Sequence, residues 1–399
     1  MSSCGRLPRV TPIIFVGDLG ASPVERLVIG AQKAAALDTI ERLATLDLFA
    51  PPIVATPSPD LAECLASGPA RVLLDPPESE HGSSFHFGRR LREIVEQFDV
   101  SHPLYLGGGS APLLATGELA QIAETLLASD GRIVANNFFS SDFVGFTPGS
   151  AISRIVPPSI DNDLAFRLQR QAGLENVPLA RTVGTQFDID TPLDVAVLSL
   201  HPDAGPNARA YLRQVDLTPM IDRLRIAMRV FTDPAGEVLV AGRIGSHVLA
   251  HLETDLACRK RVFSEERGMR ASGREARGEV RSLLGFLLES LGPRRFFQRL
   301  SLLGQVCILD SRVILAHLGL APSAADRFSS DLLLVEEIAD PTVREFTLAA
   351  REAPVPVLLG GHSLVSGGLR ALIDAAWREH DELVPNGQQV QAVTTVPAR

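Results

Sequence analysis

Carboxylates, amides and glycines recur at the ends of apolar runs in the first half of the chain. Gly17 and Asp18 follow TPIIFV, Asp75 follows ARVLL, and Gly107-Gly108-Gly109-Ser110 follows PLYL. Asn136-Asn137 follows GRIVA, with Ser141 and Asp142 soon after. Asp161-Asn162-Asp163 opens an amphipathic stretch, and Asp188 and Asp190 alternate along FDIDTP. Oxygen donors beside a glycine loop suit a phosphate ligand with a hard divalent cation. Glycines let backbone N–H groups approach phosphate, and Mg²⁺ takes one or two carboxylates plus phosphate oxygens. The same residue types also serve as plain structural ends. Asp161-Asn162-Asp163 is a good helix cap, Asn136-Asn137 suits a turn, and Thr191-Pro192 can open a helix with Pro192 at its first position.

The elements that would position these groups alternate. Strands are expected at TPIIF, PIVAT, ARVLLD, PLYLGG and GRIVANNFF. Helices are expected at VERLVIGAQKAAALDTIERLATL, DLAECLAS, RRLREIVEQF, GELAQIAETLLAS, NDLAFRLQRQAG and TPLDVAVLSL. SSDFVGFTPGS reads as a long polar loop and PLARTVGTQFDID as strand-like. Such alternation predicts an α/β fold, a mostly parallel Rossmann-like sheet with helices on both faces. Ligands of open α/β sheets bind at the carboxyl ends of the strands, where these polar residues fall.

At 399 residues the chain exceeds one ordinary core, so two domains are expected. HPDAGPNARA (201–210), rich in Pro, Gly and Asn, marks the boundary. The expected units are an α/β domain at 1–205, a mainly α-helical domain at 211–385 with short strands near EVLVAG and APVPVLLGG, and a flexible tail at 386–399. A net charge of −9 argues against general nucleic-acid binding. No apolar run reaches the roughly 18 residues of a membrane span. The apolar stretch near the N-terminus is too short for a signal-peptide core. The cysteines Cys4, Cys64, Cys258 and Cys307 form no metal or disulfide pattern, so a cytoplasmic protein is expected. The basic stretch at 258–281 reads either as a solvated helix face or as an anion contact surface.

Three stretches resemble the nucleotide-diphospho-sugar transferase superfamily, which includes molybdenum-cofactor guanylyltransferases, 2-phospho-L-lactate guanylyltransferases and sugar-1-phosphate uridylyltransferases. GAQKAAALDTIERL (30–43) is similar to its G-x-K-P-L-L-x-x-x-I-E-R-L helix. LYLGGGSAPLL (104–114) is similar to the strand ending in G-D-x-P-L-L, and FDIDTPLDVAVL (187–198) to the D-x-D/N-T-P-x-D-L element. The resemblance covers the first half of the chain. It implies a nucleoside triphosphate or sugar nucleotide as ligand, Mg²⁺ or Mn²⁺ as cofactor, and nucleotidyl transfer to a small phosphate- or hydroxyl-bearing acceptor. It implies that Gly17 and Gly20 are loop glycines, Lys33 a phosphate contact and Asp190 a metal ligand, with Asp188 or Asp142 second. Gly107, Gly108, Gly109, Ser110, Asn136, Asn137 and Asn162 complete the expected ligand contacts. Two departures stand out. VGDLGASPVERL lacks a basic residue at its tip, and Ser110 occupies the place of the family's metal-binding aspartate. The alternative is therefore a non-catalytic nucleotide- or metabolite-binding relative with a regulatory helical domain.

The second half mixes charge into apolar runs at Asp310, Arg312, His317, Asp326, Arg327 and Asp331, and places Glu265, Glu266 and Arg267 together. Internal ion pairs account for these, or a polar pocket facing the first domain. VPVLLGGHSLVSGGL partly matches a hydrolase nucleophile elbow at Ser363, but Val365 replaces its last glycine and the chain ends at Arg399.

Overall fold

The computed structural model describes residues 8–18, 20–76 and 85–383; the expected tail lies outside the described residues. Seven strands form the first sheet: β1 (Thr11–Phe15), β2 (Ile53–Thr56), β3 (Arg71–Leu74), β4 (Pro103–Gly107), β5 (Arg132–Ala135), β6 (Phe143–Thr147) and β7 (Glu175–Asn176). Their order is β3-β2-β1-β4-β6-β5-β7, parallel except that β6 runs antiparallel to both β4 and β5. The segment read as a polar loop thus contains β6. Its FVGFT side chains are all buried, and its flanking Ser, Asp and Pro residues form the turns.

The helix Pro23–Ala44 starts at a capping box, Ser22 with Glu25, and carries an alanine-rich face that packs closely. The stretch read as strand-like instead forms a short helix, Val183–Gln186, capped by Thr182. Only its end, at Asp188, bridges Ser110 in antiparallel fashion.

The second half is not purely helical. It holds a four-stranded, all-parallel sheet of order β11-β10-β8-β9. Its strands are β8 (Glu237–Gly242), β9 (Arg259–Ser264), β10 (Val306–Asp310) and β11 (Val357–Gly360). β8 and β11 are the two expected strands; β9 and β10 are additional. β10 runs into the helix Ser311–His317 with Asp310 as its cap, so strand and helix form one apolar stretch in the sequence. β9 is an edge strand, where the Arg-Lys-Arg of the basic stretch stays partly exposed.

One apolar cluster joins the two halves. Val28, Ala31 and Ala35 of the first long helix and Leu193, Val195, Ala196, Val197 and Leu198 pack with β8, β10, β11 and the helix Leu369–Leu383. The Pro- and Gly-rich stretch at 201–210 is pinned. Asp38 accepts hydrogen bonds from the backbone N–H of Asn207 and Ala208, and buried His201 meets Asp374 at 3.1 Å. No helix among the described residues is long and apolar enough to cross a membrane.

Candidate functional site

The carboxyl edge of the first sheet opens a cleft of about 190 Å³ lined by Phe15, Gly17, Gln32, Gly107, Gly108, Gly109, Ser110, Asp142, Asp161, Asp188, Ile189 and Asp190. Four segments build it. β1 and β4 end there side by side, and the Gly108 N–H donates to the Phe15 carbonyl at 2.7 Å. β6 starts there because it is antiparallel, which delivers Asp142. The strand-like end at Asp188–Asp190 lies against the glycine turn, the Ile189 N–H donating to the Gly109 carbonyl at 2.9 Å. Gly109 must be glycine for this approach, since a Cβ there would lie 2.7 Å from the Ile189 oxygen. Gln32 of the first long helix donates to that same oxygen at 2.7 Å.

Acids converge here. The Asp188 and Asp190 carboxyls lie against each other, with Asp142 close by. Burial, then Asp190, pushes Asp142 up to about 7, against the pull of the Asn136 amide, which donates to it at 2.5 Å. Burial, then Asp190 and Asp142, raises Asp188 well above the ordinary carboxylate range. Asp161 is raised by burial, opposed by the Tyr105 hydroxyl that donates to it at 2.9 Å. Like charges crowded in a half-dry site favour either a proton or a cation. The donor set is all oxygen, which fits Mg²⁺ or Mn²⁺. Among the described residues no three His, Cys, Asp or Glu side chains stand ready as a metal centre. Two carboxylates completed by water and ligand oxygens is the usual Mg²⁺ arrangement.

Asp194 anchors this edge without lining the cleft. Its fully buried Oδ2 accepts from the N–H groups of Asp190 and Thr191, the Thr191 hydroxyl and the Ser363 hydroxyl. Burial, then Asp190, pushes its carboxyl up to about 7, while those donors oppose the shift.

The structure brings together Gly17, Gly107, Gly108, Gly109, Ser110, Asp142, Asp188 and Asp190, with Asn136 behind Asp142. It leaves out four other expected residues. Lys33 is tied to Asp18 at 2.6 Å and Ser58 at 2.8 Å, and Gly20 packs on Ile29 and Arg26. The Asn137 side chain accepts from the Phe139 N–H within its turn, and Asn162 donates to Ser140. Asp161, not Asn162, is the member of its triplet that reaches the cleft. Gln32 and Tyr105 were not anticipated. Gln32 precedes Lys33 on the resemblance-bearing helix, and Tyr105 is the one polar-tipped residue of β4, so each carried a weak signal.

In the second half, Arg312 pairs with Asp331 and Arg243 with Asp310, both acids being fully buried. Asp326 accepts two backbone N–H groups, and His317 accepts from Ser282 N–H. Most of these charges are therefore internal pairs. Ser363 is buried and bonded to a carboxylate, with no imidazole partner among the described residues. That arrangement does not make a hydrolase nucleophile.

No family model matches the sequence, and no curated protein does. Solved structures are similar over the N-terminal half. One is a cytidylyltransferase from Leptospira borgpetersenii serovar Hardjo-bovis, with 14% identity over 54% of this chain and 97% of that one and a TM-score of 0.36. A chain from Desulfovibrio desulfuricans G20, whose name assigns it to the nucleotide-diphospho-sugar transferases, is 14% identical over 52% of this chain and 100% of its own, TM-score 0.35. A CMP:2-keto-3-deoxy-manno-octonic acid synthetase complexed with CTP is 11% identical over 43% of this chain and 90% of its own, TM-score 0.31. The likeness is one of fold.

Proposed function

We propose that the cleft binds a nucleoside triphosphate or sugar nucleotide together with Mg²⁺ or Mn²⁺, and that the protein is a nucleotidyltransferase acting on a small phosphate- or hydroxyl-bearing acceptor. One observation carries the reading. Asp142, Asp161, Asp188 and Asp190, from three separate segments, meet beside the bare backbone of Gly107–Gly109 at one sheet edge. The sequence stretches with the family resemblance fall around the same edge, two of them supplying its walls and the third supplying Gln32.

With a triphosphate donor, an acceptor oxygen would attack the α-phosphorus. The bond from that phosphorus to the bridging oxygen would break, and pyrophosphate would leave. Asp188 and Asp190 would hold the cation, which supplies charge neutralisation at the phosphate oxygens. Gly107–Gly109 lets phosphate approach the backbone without a side chain in the way. Asn136 fixes the Asp142 carboxyl, and Tyr105 fixes Asp161. Asp194 holds the backbone that carries Asp190.

A second reading, binding without transfer, is favoured by Ser110. Its hydroxyl donates to the Gly107 carbonyl at 2.8 Å and offers the cation no charge. Pyrophosphate release in the presence of Mg²⁺, a panel of triphosphates and phosphorylated acceptors separates the two. Metal-dependent release that is lost in Asp190→Asn supports transfer. Saturable triphosphate binding without release supports the second reading, and no binding of any nucleotide removes both.

A further inference from the structure

The glycine turn at the end of β4, Gly107 to Ser110, has four backbone N–H groups, and three of them are spent inside the protein. The Gly107 N–H donates to the Asp142 carbonyl at 3.2 Å, the Gly108 N–H to the Phe15 carbonyl at 2.7 Å and the Ser110 N–H to the Gly107 carbonyl at 3.0 Å. Gly109 is the exception. Its N–H donates to no group among the described residues, although Gly109 is half-buried in the wall of the cleft. A backbone donor left over in such a place is available to water or to a ligand.

The pairing of the two neighbouring segments should have used it. Ser110 and Asp188 bridge in antiparallel fashion, which sets Gly109 opposite Ile189. Facing residues of an antiparallel ladder alternate between pairs that exchange both N–H···O bonds and pairs that exchange none. Gly109 and Ile189 make one bond of the two, from the Ile189 N–H to the Gly109 carbonyl at 2.9 Å. The return bond, from the Gly109 N–H to the Ile189 carbonyl, is not made. A side chain has taken its acceptor, since Gln32 Nε2 donates to the Ile189 oxygen at 2.7 Å.

The packing fixes this exchange. The Ile189 oxygen faces the Cα of Gly109, where an added Cβ would lie 2.7 Å away. The same Cβ would lie 2.9 Å from Gln32 Cγ and 3.0 Å from Gln32 Nε2, so the glutamine is wedged against the turn. Ile189 is buried, and a buried carbonyl needs a donor. Two donors compete for it, one from the turn and one from the helix Pro23–Ala44, and the helix supplies it.

We propose that Gln32 is a positioning residue: by occupying the Ile189 carbonyl it keeps the Gly109 N–H free as the hydrogen-bond donor to a phosphate oxygen of the ligand held with the cation. The ligand class rests on the function proposed above; the exchange of donors at Ile189 does not. The composition of the cleft gives this single N–H weight. Its charged side chains are Asp142, Asp161, Asp188 and Asp190, and among the described residues no Lys or Arg lines it. A phosphate there meets acceptors on most sides, so the cation and backbone N–H groups must hold its oxygens. A hydrogen bond to an anion is roughly twice as strong as a neutral one.

The test is hydrogen exchange at the Gly109 amide, followed by NMR on the full chain with labelled glycine. In the wild type without ligand this amide should exchange quickly, while the Gly107 and Gly108 amides are protected. Gln32→Met keeps the volume and removes the donor. The Ile189 carbonyl should then draw in the Gly109 N–H and slow its exchange by about tenfold or more. A protected Gly109 amide in the wild type overturns the proposal, and that measurement needs no variant to fold. Unchanged exchange in Gln32→Met overturns it as well, since a glutamine that only braced the helix would alter stability and leave the amide alone.

Binding is read with Mg²⁺ and pyrophosphate, and with Mg²⁺ and each common nucleoside triphosphate. The expected result is a shift of the Gly109 amide signal on binding and an affinity about tenfold lower in Gln32→Met. Binding that leaves the Gly109 signal in place overturns the assignment, and if that binding is lost in Asp190→Asn the proposed function still stands. A Gly109 shift with pyrophosphate but with no triphosphate does the reverse: the donor is kept and nucleotidyl transfer falls. No binding of any probe overturns both.

Discussion

The Ser363 hydroxyl, in the turn after the last strand of the second sheet, donates at 2.7 Å to the Asp194 carboxylate, in the helix that follows the acidic cleft of the first. The same oxygen accepts the N–H groups of Asp190 and Thr191. A single buried carboxylate thus ties the backbone of a candidate metal ligand to the other half of the molecule. Ser363→Ala removes one of its donors and should cost about 1 kcal/mol. Asp194→Ala strands all of them and should cost about 3 kcal/mol. Urea unfolding of both variants measures the difference. Equal losses would mean that Asp194 is not the anchor.

Removing a carboxylate from the cleft should have opposite effects with and without metal. Asp188 is buried among like charges, so Asp188→Asn relieves repulsion in the metal-free protein and should raise its melting temperature. The same change should abolish stabilisation by Mg²⁺ and lower any transfer rate on the order of 100-fold. Thermal unfolding with Mg²⁺ and with chelator reads both effects. A variant that melts lower without metal would show that the acids are not in repulsion.

Ser110→Asp runs the other way. It adds a carboxylate beside Asp188, since Ser110 bridges that residue. The metal-free protein should become less stable and its affinity for Mg²⁺ should rise, as a third charged oxygen ligand is supplied. Metal titration followed by unfolding checks this. Unchanged affinity would place the cation away from Ser110.

Histidine 247 should titrate near 4, held down by burial and by Arg181, Arg267, Arg370 and His362. The unfolded chain takes up this proton around 6.5. From pH 6.5 down to about 4 the unfolded state therefore binds more protons at this site, and stability falls as pH falls through that window. Above pH 6.5 the residue is neutral in both states and contributes no slope. Imidazole proton shifts over that range measure the titration directly. A midpoint at the ordinary imidazole value would show that the ring is neither buried nor beside the arginines.

The two halves share one apolar cluster, so a fragment ending at residue 205 exposes Leu193, Val197 and Val28 to water. Such a fragment should be poorly soluble or molten, with weak near-ultraviolet ellipticity. A well-folded monomeric fragment would show that the first half is independently stable.

Much of the first half was legible in the sequence because its strands and helices alternate and its polar residues sit at strand ends. β6 was hidden because it is short and framed by Ser, Asp and Pro, which read as loop. β10 was hidden because Asp310 is at once the last strand residue and the helix cap, leaving no turn residues to mark a boundary. Asp188 and Asp190 were legible through FDIDTP. The exclusion of Lys33 was not, since it depends on Asp18 and Ser58, which come near only in the fold. The surroundings of His247 were illegible for a similar reason. Arg181, Arg267, His362 and Arg370 are far from it in sequence and act on it only because a second sheet exists.

One oxygen of Asp194 takes the Asp190 and Thr191 N–H groups together with the Ser363 hydroxyl. A strain applied to the second half would therefore reach the acidic cleft through a single atom. Any ligand that shifted the turn after the last strand would be felt at Asp190, although it touched neither that residue nor its neighbours in the cleft.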